Sequence, residues 1–286
     1  MKNKKDAYSF FNTKKQIAHY TDIYNQKPNF KLDYPANKKR LEITIKQLKK
    51  INPKKILDAG CGNGLPLINI KKKGFNIEGF DKSKNMVLAA KENLKKNKMD
   101  PKLIFNWDFS KKINRKKFDC IIGLGSFYYA SDFNKVLKIQ SSMLKKNGYM
   151  IFSCRNELFN TFSMNHYSIN FLEEFYQIKK YGKKINQKFK KFLNGYKINP
   201  RSFQKNIDQN KVKNSMHNPL TIEEMYLKNN KLKLEKIDYY HFHCLPPALE
   251  IDLGINFRKN SWKMERSGDW RGIFMASGFV ATCKKL

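Results

Sequence analysis

Between Ile56 and Gly64 the chain reads Ile-Leu-Asp-Ala-Gly-Cys-Gly-Asn-Gly, an apolar run closed by Asp58 and followed by glycines at every second position, Gly60, Gly62 and Gly64. Glycine takes positive φ without steric cost and leaves the main chain bare, so a ligand can lie directly against the backbone. Phosphate-binding loops of this kind follow the spacing G-x-G-x-x-G/A, whose last small residue lets a helix pack closely and aim its N-terminus at a pyrophosphate. Here that third small position is Leu65, followed by Pro66, so the match to a dinucleotide site is poor. Proton transfer would fall to a histidine or a carboxylate. The histidines are His19, His166, His217, His241 and His243.

These residues need strands and helices to place them. Leu41, Ile45 and Leu48 share one face of a helix that starts at Asn37 and ends before Pro53. Lys55 to Asp58 reads as a strand, Leu65 to Lys73 as a helix stopped by Gly74, and Phe75 to Phe80 as a second strand. Lys84 to Lys96 is a helix with Met86, Val87, Ala90 and Leu94 inward; Lys102 to Asn106 and Phe118 to Leu124 are strands. Ser131 to Lys146 reads as a helix capped by Ser131 and terminated by Gly148, and Tyr149 to Cys154 as a strand. Five strands alternating with helices imply an open, mostly parallel sheet covered on both faces.

After Cys154 the rhythm breaks. Residues 155–215 are rich in Asn, Lys, Phe and Tyr, with a helix near Ser168 to Lys179, and read as an inserted lid. The α/β pattern resumes with a helix from Thr221, capped by that residue, to Asn230, a strand from Lys231 to His243 and a last strand from Gly272 to Lys284. The expected organisation is an arm or cap over residues 1–36, carrying Tyr20, Tyr24, Phe30 and Tyr34, an α/β core over 37–154, the lid over 155–215, and completion of the sheet over 216–286.

The motif Asp58-Ala59-Gly60-Cys61-Gly62-Asn63-Gly64 resembles the first motif of the class I S-adenosylmethionine-dependent methyltransferases, an acidic-x-Gly-x-Gly-x-Gly turn at the end of the first strand. Their cofactor carries a sulfonium and an ammonium group and no phosphate, so carboxylates suit it better than lysines. Asp81 follows 21 residues after Gly60, at the end of the second strand, where a carboxylate can accept both ribose hydroxyls. Asp81-Lys82-Ser83-Lys84-Asn85-Met86 is similar to the corresponding family segment, whose Met packs beside adenine. In Asn106-Trp107-Asp108-Phe109, the resemblance gives Asp108 the adenine amino group and Trp107 or Phe109 the flanks of the ring. Phe118 to Ile122 and Leu144 to Tyr149 match the fourth strand and the approach to the fifth.

The family thus implies a Rossmann-like seven-stranded, mostly parallel sheet with helices on both faces and an inserted helical lid. It implies S-adenosyl-L-methionine held by Asp58, Gly60, Cys61, Gly62, Asn63, Gly64, Asp81, Lys82, Met86, Trp107, Asp108, Phe109 and Leu124. Arg40 would reach the cofactor carboxylate. Each acid also has a plainer role open to it: Asp58 as a strand-end carboxylate, Asp81 as a helix cap, Asp108 as a loop residue; Met86 could be core alone.

Acceptor groups should follow strands four, five and six, because open α/β sheets bind ligands beyond the carboxyl ends of their strands. Tyr128, Arg155, Asn156 and Arg271 are the candidates for the acceptor, Arg155 as a clamp for an anionic group or as an ion-pair partner of Glu157 or Glu173. For the base, alternation along the sixth strand places His241 and His243 on one face, with His243 nearest the carboxyl end; His166 in the lid is third. A structural histidine is the competing reading of each.

Composition supplies the remaining bounds. Lys and Arg number 58 against 24 Asp and Glu, a formal charge of +34, yet only seven of the cations are Arg. Bidentate phosphate and guanine recognition favours Arg, so lysine deposited on solvated faces by an AT-rich coding bias accounts for the pattern without a nucleic acid. The five cysteines are scattered singly, with no metal or redox spacing, and no apolar run approaches a membrane span. The expectation is a cytoplasmic enzyme of small-molecule biosynthesis that methylates a hydroxyl of a sugar or related metabolite. An RNA methyltransferase gripping phosphates with the Lys-rich insertion, and a catalytically silent binding protein on the same scaffold, are the alternatives.

Overall fold

The computed structural model describes residues 7–13, 34–114, 117–194 and 214–286. His19, Tyr20, Tyr24 and Phe30 of the expected arm, and the last part of the expected lid, lie outside the described residues. The apolar runs form strands β1 (Ile56–Ala59), β2 (Ile77–Asp81), β3 (Ile104–Asn106), β4 (Phe118–Gly123), β5 (Leu144–Arg155), β6 (Leu232–Phe242) and β7 (Ala276–Lys285). They make one sheet in the order β3-β2-β1-β4-β5-β7-β6. β1 runs parallel to β2 and β4, and β5 runs parallel to β4, whereas β7 is antiparallel to both of its neighbours. The chain leaves β1 toward β2 and β3 and returns to β4 on the other side, so the carboxyl ends of β1 and β4 flank the crevice where such sheets bind ligands.

Among the described residues the α-helices of five or more residues are α1 (Ala7–Phe11), α2 (Ala36–Ile51), α3 (Leu65–Lys71), α4 (Lys84–Lys96), α5 (Phe133–Ser142), α6 (His166–Phe175), α7 (Gly182–Asn194) and α8 (Ile255–Ser267). Strand alternation divides the interior into two layers. Ile56, Cys120 and Ile122 join Leu48, Leu67, Ile70 and Leu94 of α2, α3 and α4 in one core. Leu57, Ile121 and Phe152 join Phe127, Leu137 and Leu227 in the other.

Several boundaries differ from the sequence expectation for local reasons. α5 is capped by Asp132, which accepts the Lys135 N–H at 2.9 Å, and not by Ser131. It stops at Ser142, and Gly148 lies inside β5, where an added Cβ would sit 3.0 Å from the Lys145 carbonyl and 3.1 Å from that of Asp119. Thr221 caps nothing: its hydroxyl contacts the Met225 sulfur, and the expected helix is a five-residue π turn, Glu223–Leu227, running into a 3-10 turn, Lys228–Asn230. α6 starts earlier than expected, on an Asn165–Ser168 capping box, and the chain breaks at Gln177, which has φ 49°. Gly272–Met275 is a helical turn ahead of β7. α8 was not anticipated: its inward face holds Phe257, Ser261, Met264 and Glu265, a helical spacing that an apolar reading passes over because two of the four are polar.

The insertion returns to the sheet close to where it leaves. Ser215 N–H donates to the Tyr128 carbonyl at 2.8 Å, His217 N–H to that of Arg155 at 3.0 Å, and Glu157 N–H to that of His217 at 3.0 Å. The His217 ring is buried against Phe133, with centroids 4.0 Å apart, and burial lowers its pKa from 6.5 to about 4. A folded state that refuses a proton the unfolded chain accepts gains stability above pH 6.5 and loses it as pH falls toward 4. Thermal melts between pH 7.5 and about 4.5 should therefore show a shallower acid loss in His217→Phe than in the parent; equal slopes would assign that titration to other groups.

Candidate active site

The glycine turn is fixed by its neighbours on both sides. Gly60, at φ +86°, could not be alanine, because the added carbon would lie 2.5 Å from the Ser126 Cβ. The Ser126 hydroxyl donates to the Ala59 carbonyl at 2.8 Å and so braces the turn against the loop after β4. Gly62, at φ +55°, has nothing within 4 Å of its Cβ direction and faces open space. The Asn63 carbonyl accepts from the Asn93 side chain at 2.9 Å, Gly64 precedes the first turn of α3, and the Cys61 thiol is buried, its pKa pushed up by burial.

Two carboxylates meet at this turn. Asp81, ending β2, accepts the Ser83 N–H at 2.8 Å on one oxygen and the Gly62 N–H at 2.9 Å on the other, leaving each oxygen room for a further donor. Burial raises its pKa and those amides oppose the rise. Asp58, ending β1, is 1% exposed, and neither of its oxygens has a hydrogen-bond partner. Burial, then the charge of Asp81, raises its pKa from 3.8 to about 7 against the pull of Arg40. A buried ionised carboxylate without donors is costly, so the site is built for a cation or donor that the protein does not itself supply. Arg40 comes from α2 and is buried; its guanidinium lies 2.7 Å from where a Gly125 Cβ would be. It hydrogen-bonds to Tyr240, which also reaches Ser153, and the Ser153 hydroxyl accepts the Gly125 N–H at 2.8 Å.

The chemistry of these groups fits S-adenosylmethionine: Asp58 would suit a cationic centre, Asp81 a ribose diol and Arg40 a carboxylate, while buried Met86 and Leu124 with Phe109 near Gly60 offer apolar wall. Farther out, Asp108 is already engaged, accepting from Ser110 N–H and hydroxyl at 2.9 and 2.7 Å and pairing with Lys82 at 3.0 Å. Against an opposite effect of burial, those contacts hold its pKa below the usual carboxylate range. Trp107 is partly exposed, its indole N–H donating to the Lys111 carbonyl. Asn12 was not anticipated from sequence: its side-chain oxygen accepts from the Ser83 hydroxyl at 2.8 Å and the Asn85 N–H at 3.2 Å, while Phe11 meets Tyr129 at 5.0 Å. Residues 7–13 thus lie across from the end of β2 to the loop after β4.

On the acceptor side, the Arg155 guanidinium sits 5.7 Å from the ring centre of buried Tyr128, and Glu173 pairs with Lys190. Although burial opposes it, the tyrosines at 128, 129 and 167 raise the Arg155 pKa further. His241 and His243 are neighbours, with ring centroids 4.6 Å apart, but not through strand alternation: β6 ends at Phe242 and His241 is left-handed at φ +61°. Glu265 holds that bend, accepting from the Tyr34 hydroxyl and from the N–H groups of His241 and Phe242 at 3.0 and 3.3 Å. Tyr34 and Glu265 escape a sequence reading because each sits in a segment without sheet periodicity. His241 Nδ1 lies 2.8 Å from the Ser277 hydroxyl. His243 Nδ1 lies 3.0 Å from the His241 carbonyl, which assigns the proton to Nδ1 and leaves the lone pair on Nε2. Burial first, then Arg155, lowers the His241 pKa to about 4; burial, then His241, lowers that of His243 well below its ordinary value.

Two of the remaining candidates are engaged within the fold. Asn156 donates to the Ile273 and Ala276 carbonyls at 2.8 and 2.9 Å, clamping the turn before β7. Arg271 is exposed and pairs with Asp269. His166 is the first residue of α6.

The sequence matches the family model described as methyltransferase domain over residues 33–194. It is 33% identical over 124 residues to a ubiquinone biosynthesis O-methyltransferase of Pelagibacter ubique (strain HTCC1062), covering 43% of this chain and 50% of that protein. It is 31% identical over 120 residues to a glycine/sarcosine N-methyltransferase of Aphanothece halophytica, covering 40% and 45%. The chain thus spans about half the length of the curated relatives it matches. Its fold is similar to magnesium protoporphyrin IX methyltransferase from Synechocystis PCC 6803 with bound SAM, at TM-score 0.56 and 12% identity, over 98% of this chain and 95% of that one.

Because its pKa is raised on folding, ionised Asp58 destabilises the ligand-free protein above about pH 7, and that cost is relieved as pH falls toward 3.8. Asp58→Asn should accordingly raise the melting temperature of the ligand-free protein at pH 8 more than at pH 5. A lower melting temperature at pH 8 would show that the carboxylate is satisfied within the fold.

Proposed function

The chain belongs to the methyltransferase-domain family, in the class I S-adenosylmethionine-dependent group, and from that premise we propose that it transfers methyl from S-adenosylmethionine to a small-molecule acceptor. The observation that carries the reading is Asp58, a buried carboxylate with two unpartnered oxygens at a glycine turn, beside an Asp81 that retains acceptor capacity. When bound, the cofactor supplies an electrophilic methyl on a sulfonium, and the reaction is an in-line displacement by the acceptor. Asp58 receives the cationic amino acid end, Asp81 the ribose hydroxyls, and Arg40 the carboxylate. Gly62 leaves the backbone bare where the ligand crosses it. The protein's main contribution is to hold nucleophile and methyl in line.

For the acceptor we favour a hydroxyl of a sugar or related metabolite. The polar end of the sheet supports this: Tyr128, Arg155, His241 and Ser277 line up at the ends of β4, β5, β6 and β7. A hydroxyl must lose its proton as it attacks, and His243 Nε2 carries a free lone pair because Nδ1 is committed to the His241 carbonyl. Burial keeps both imidazoles neutral near pH 7, so neither must first lose a proton, while the same burial weakens each as a base. Arg155 would hold an anionic substituent of the acceptor. Lysine dominates the cations, and the loop Gly123-Leu124-Gly125-Ser126 lacks the Pro-Pro aromatic motif that holds a planar base amine, which disfavours a nucleic-acid base.

Calorimetric titration with S-adenosylhomocysteine should give micromolar binding that Asp81→Ala abolishes; an absence of binding in the parent would reject the assignment. With an acceptor found by labelled methyl transfer into metabolite extracts, His243→Gln should lower kcat by about 100-fold while leaving cofactor binding unchanged. An unchanged kcat would point to an acceptor, such as a neutral amine, that needs no base.

A further inference from the structure

Arg40 and Asp58 place a cation and a carboxylate in one crevice, near enough for the charge of Arg40 to act on the Asp58 pKa. Such a pair matches a zwitterion, with ammonium and carboxylate on one carbon, provided the guanidinium is aimed. A long side chain fixed in one rotamer forfeits its freedom, so Arg40 must be held by its surroundings. Part of its seat is the bare face of Gly125, in the loop after β4. Nη1, Nη2 and Cζ of Arg40 lie 2.7, 3.0 and 3.1 Å from where a Gly125 Cβ would stand, so the planar group lies across that glycine. Its N–H edges are then directed by neighbours around it.

One such neighbour is Tyr240 of β6, which is buried and whose hydroxyl hydrogen-bonds to Arg40 and Ser153. Arg40 has only donors, so in that contact the phenol oxygen accepts. Tyr240 pairs with Gly278 of β7, and a Cβ on Gly278 would stand 2.7 Å from the Tyr240 Cζ and 2.9 Å from its hydroxyl oxygen. The phenol therefore crosses β7 above a glycine and delivers its oxygen toward β5. There the Ser153 hydroxyl accepts the Gly125 N–H at 2.8 Å, which ties the phenol to the very glycine on which Arg40 lies. Helix α2 has a separate anchor to β6: Gln47, about two turns after Arg40, donates to Asp238 at 2.7 Å. The Tyr240 hydroxyl is thus left to act on the guanidinium. A carboxylate in its place would neutralise Arg40, whereas a neutral phenol orients the group and leaves its charge for a ligand. Burial raises the Tyr240 pKa from 10.0 to about 12 against the pull of Arg40, so the phenol stays protonated at neutral pH.

We propose that Tyr240 is a positioning residue for the amino acid end of the cofactor: its hydroxyl aims Arg40 at the carboxylate of S-adenosylmethionine without itself touching the ligand. The proposal rests on the methyl-transfer reading and adds to the cradle a residue of the sixth strand, remote in sequence from the glycine turn.

Calorimetric titration of the full chain with S-adenosylhomocysteine and with methylthioadenosine, the same nucleoside thioether without the amino acid, separates the two ends of the ligand. Tyr240→Phe keeps the ring over Gly278 and removes only the oxygen. It should weaken S-adenosylhomocysteine binding by about tenfold and leave methylthioadenosine binding unchanged, which also serves as the control for folding. Arg40→Met should weaken S-adenosylhomocysteine by at least as much. Adding Tyr240→Phe to Arg40→Met should then cost nothing further, because the phenol acts through the guanidinium. The proposal falls if Tyr240→Phe binds S-adenosylhomocysteine as the parent does, if it weakens both ligands alike, or if its effect persists in full on the Arg40→Met background. Those three outcomes leave the cofactor assignment standing. A parent that binds neither ligand would instead reject that assignment, and the role of Tyr240 with it.

Discussion

Asp58 is sealed from water at the end of β1, and the protein provides neither of its oxygens with a donor. Such a group is tolerable only in a fold that has stability to spare elsewhere and that gains when a cation arrives. The neighbouring features are intelligible from that constraint. Ser126 locks the glycine turn so that it cannot relax onto the acid. Asp81 takes the Gly62 amide, so the second carboxylate is held while the first is left waiting. Arg40 is buried nearby but is drawn toward Tyr240, and the Asp58 pKa stays raised in spite of it.

The glycine turn and the two carboxylates beside it were largely legible because their setting is local. A strand, a glycine turn and a helix are encoded within a dozen residues, and Asp81 falls at a distance set by one βα unit. The open, mostly parallel sheet followed from the alternation of apolar strands and amphipathic helices, whereas its strand order did not. Boundaries failed where a side chain one residue away made the better hydrogen bond, as Asp132 did over Ser131, or where a glycine served close strand packing and not helix termination, as at Gly148.

The opposite end of the crevice, around His241 and His243, was less legible because its contacts are distant in sequence. Tyr34, His241 and Glu265 converge from the N-terminal region, β6 and α8, joined by hydrogen bonds that no periodicity announces. The two histidines came out as neighbours, but through a left-handed residue held by Glu265. Asn12 reaches Ser83 over 71 positions, a distance at which a single Asn has no distinguishing signature.

The insertion departs after Arg155 and re-enters at His217, and these two ends share backbone hydrogen bonds with one another and with Tyr128. Both ends of the insertion are thus pinned at one end of the sheet, and its first turn also packs Phe159 against His243, so changes farther along it need not disturb the pairing of β5 with β7.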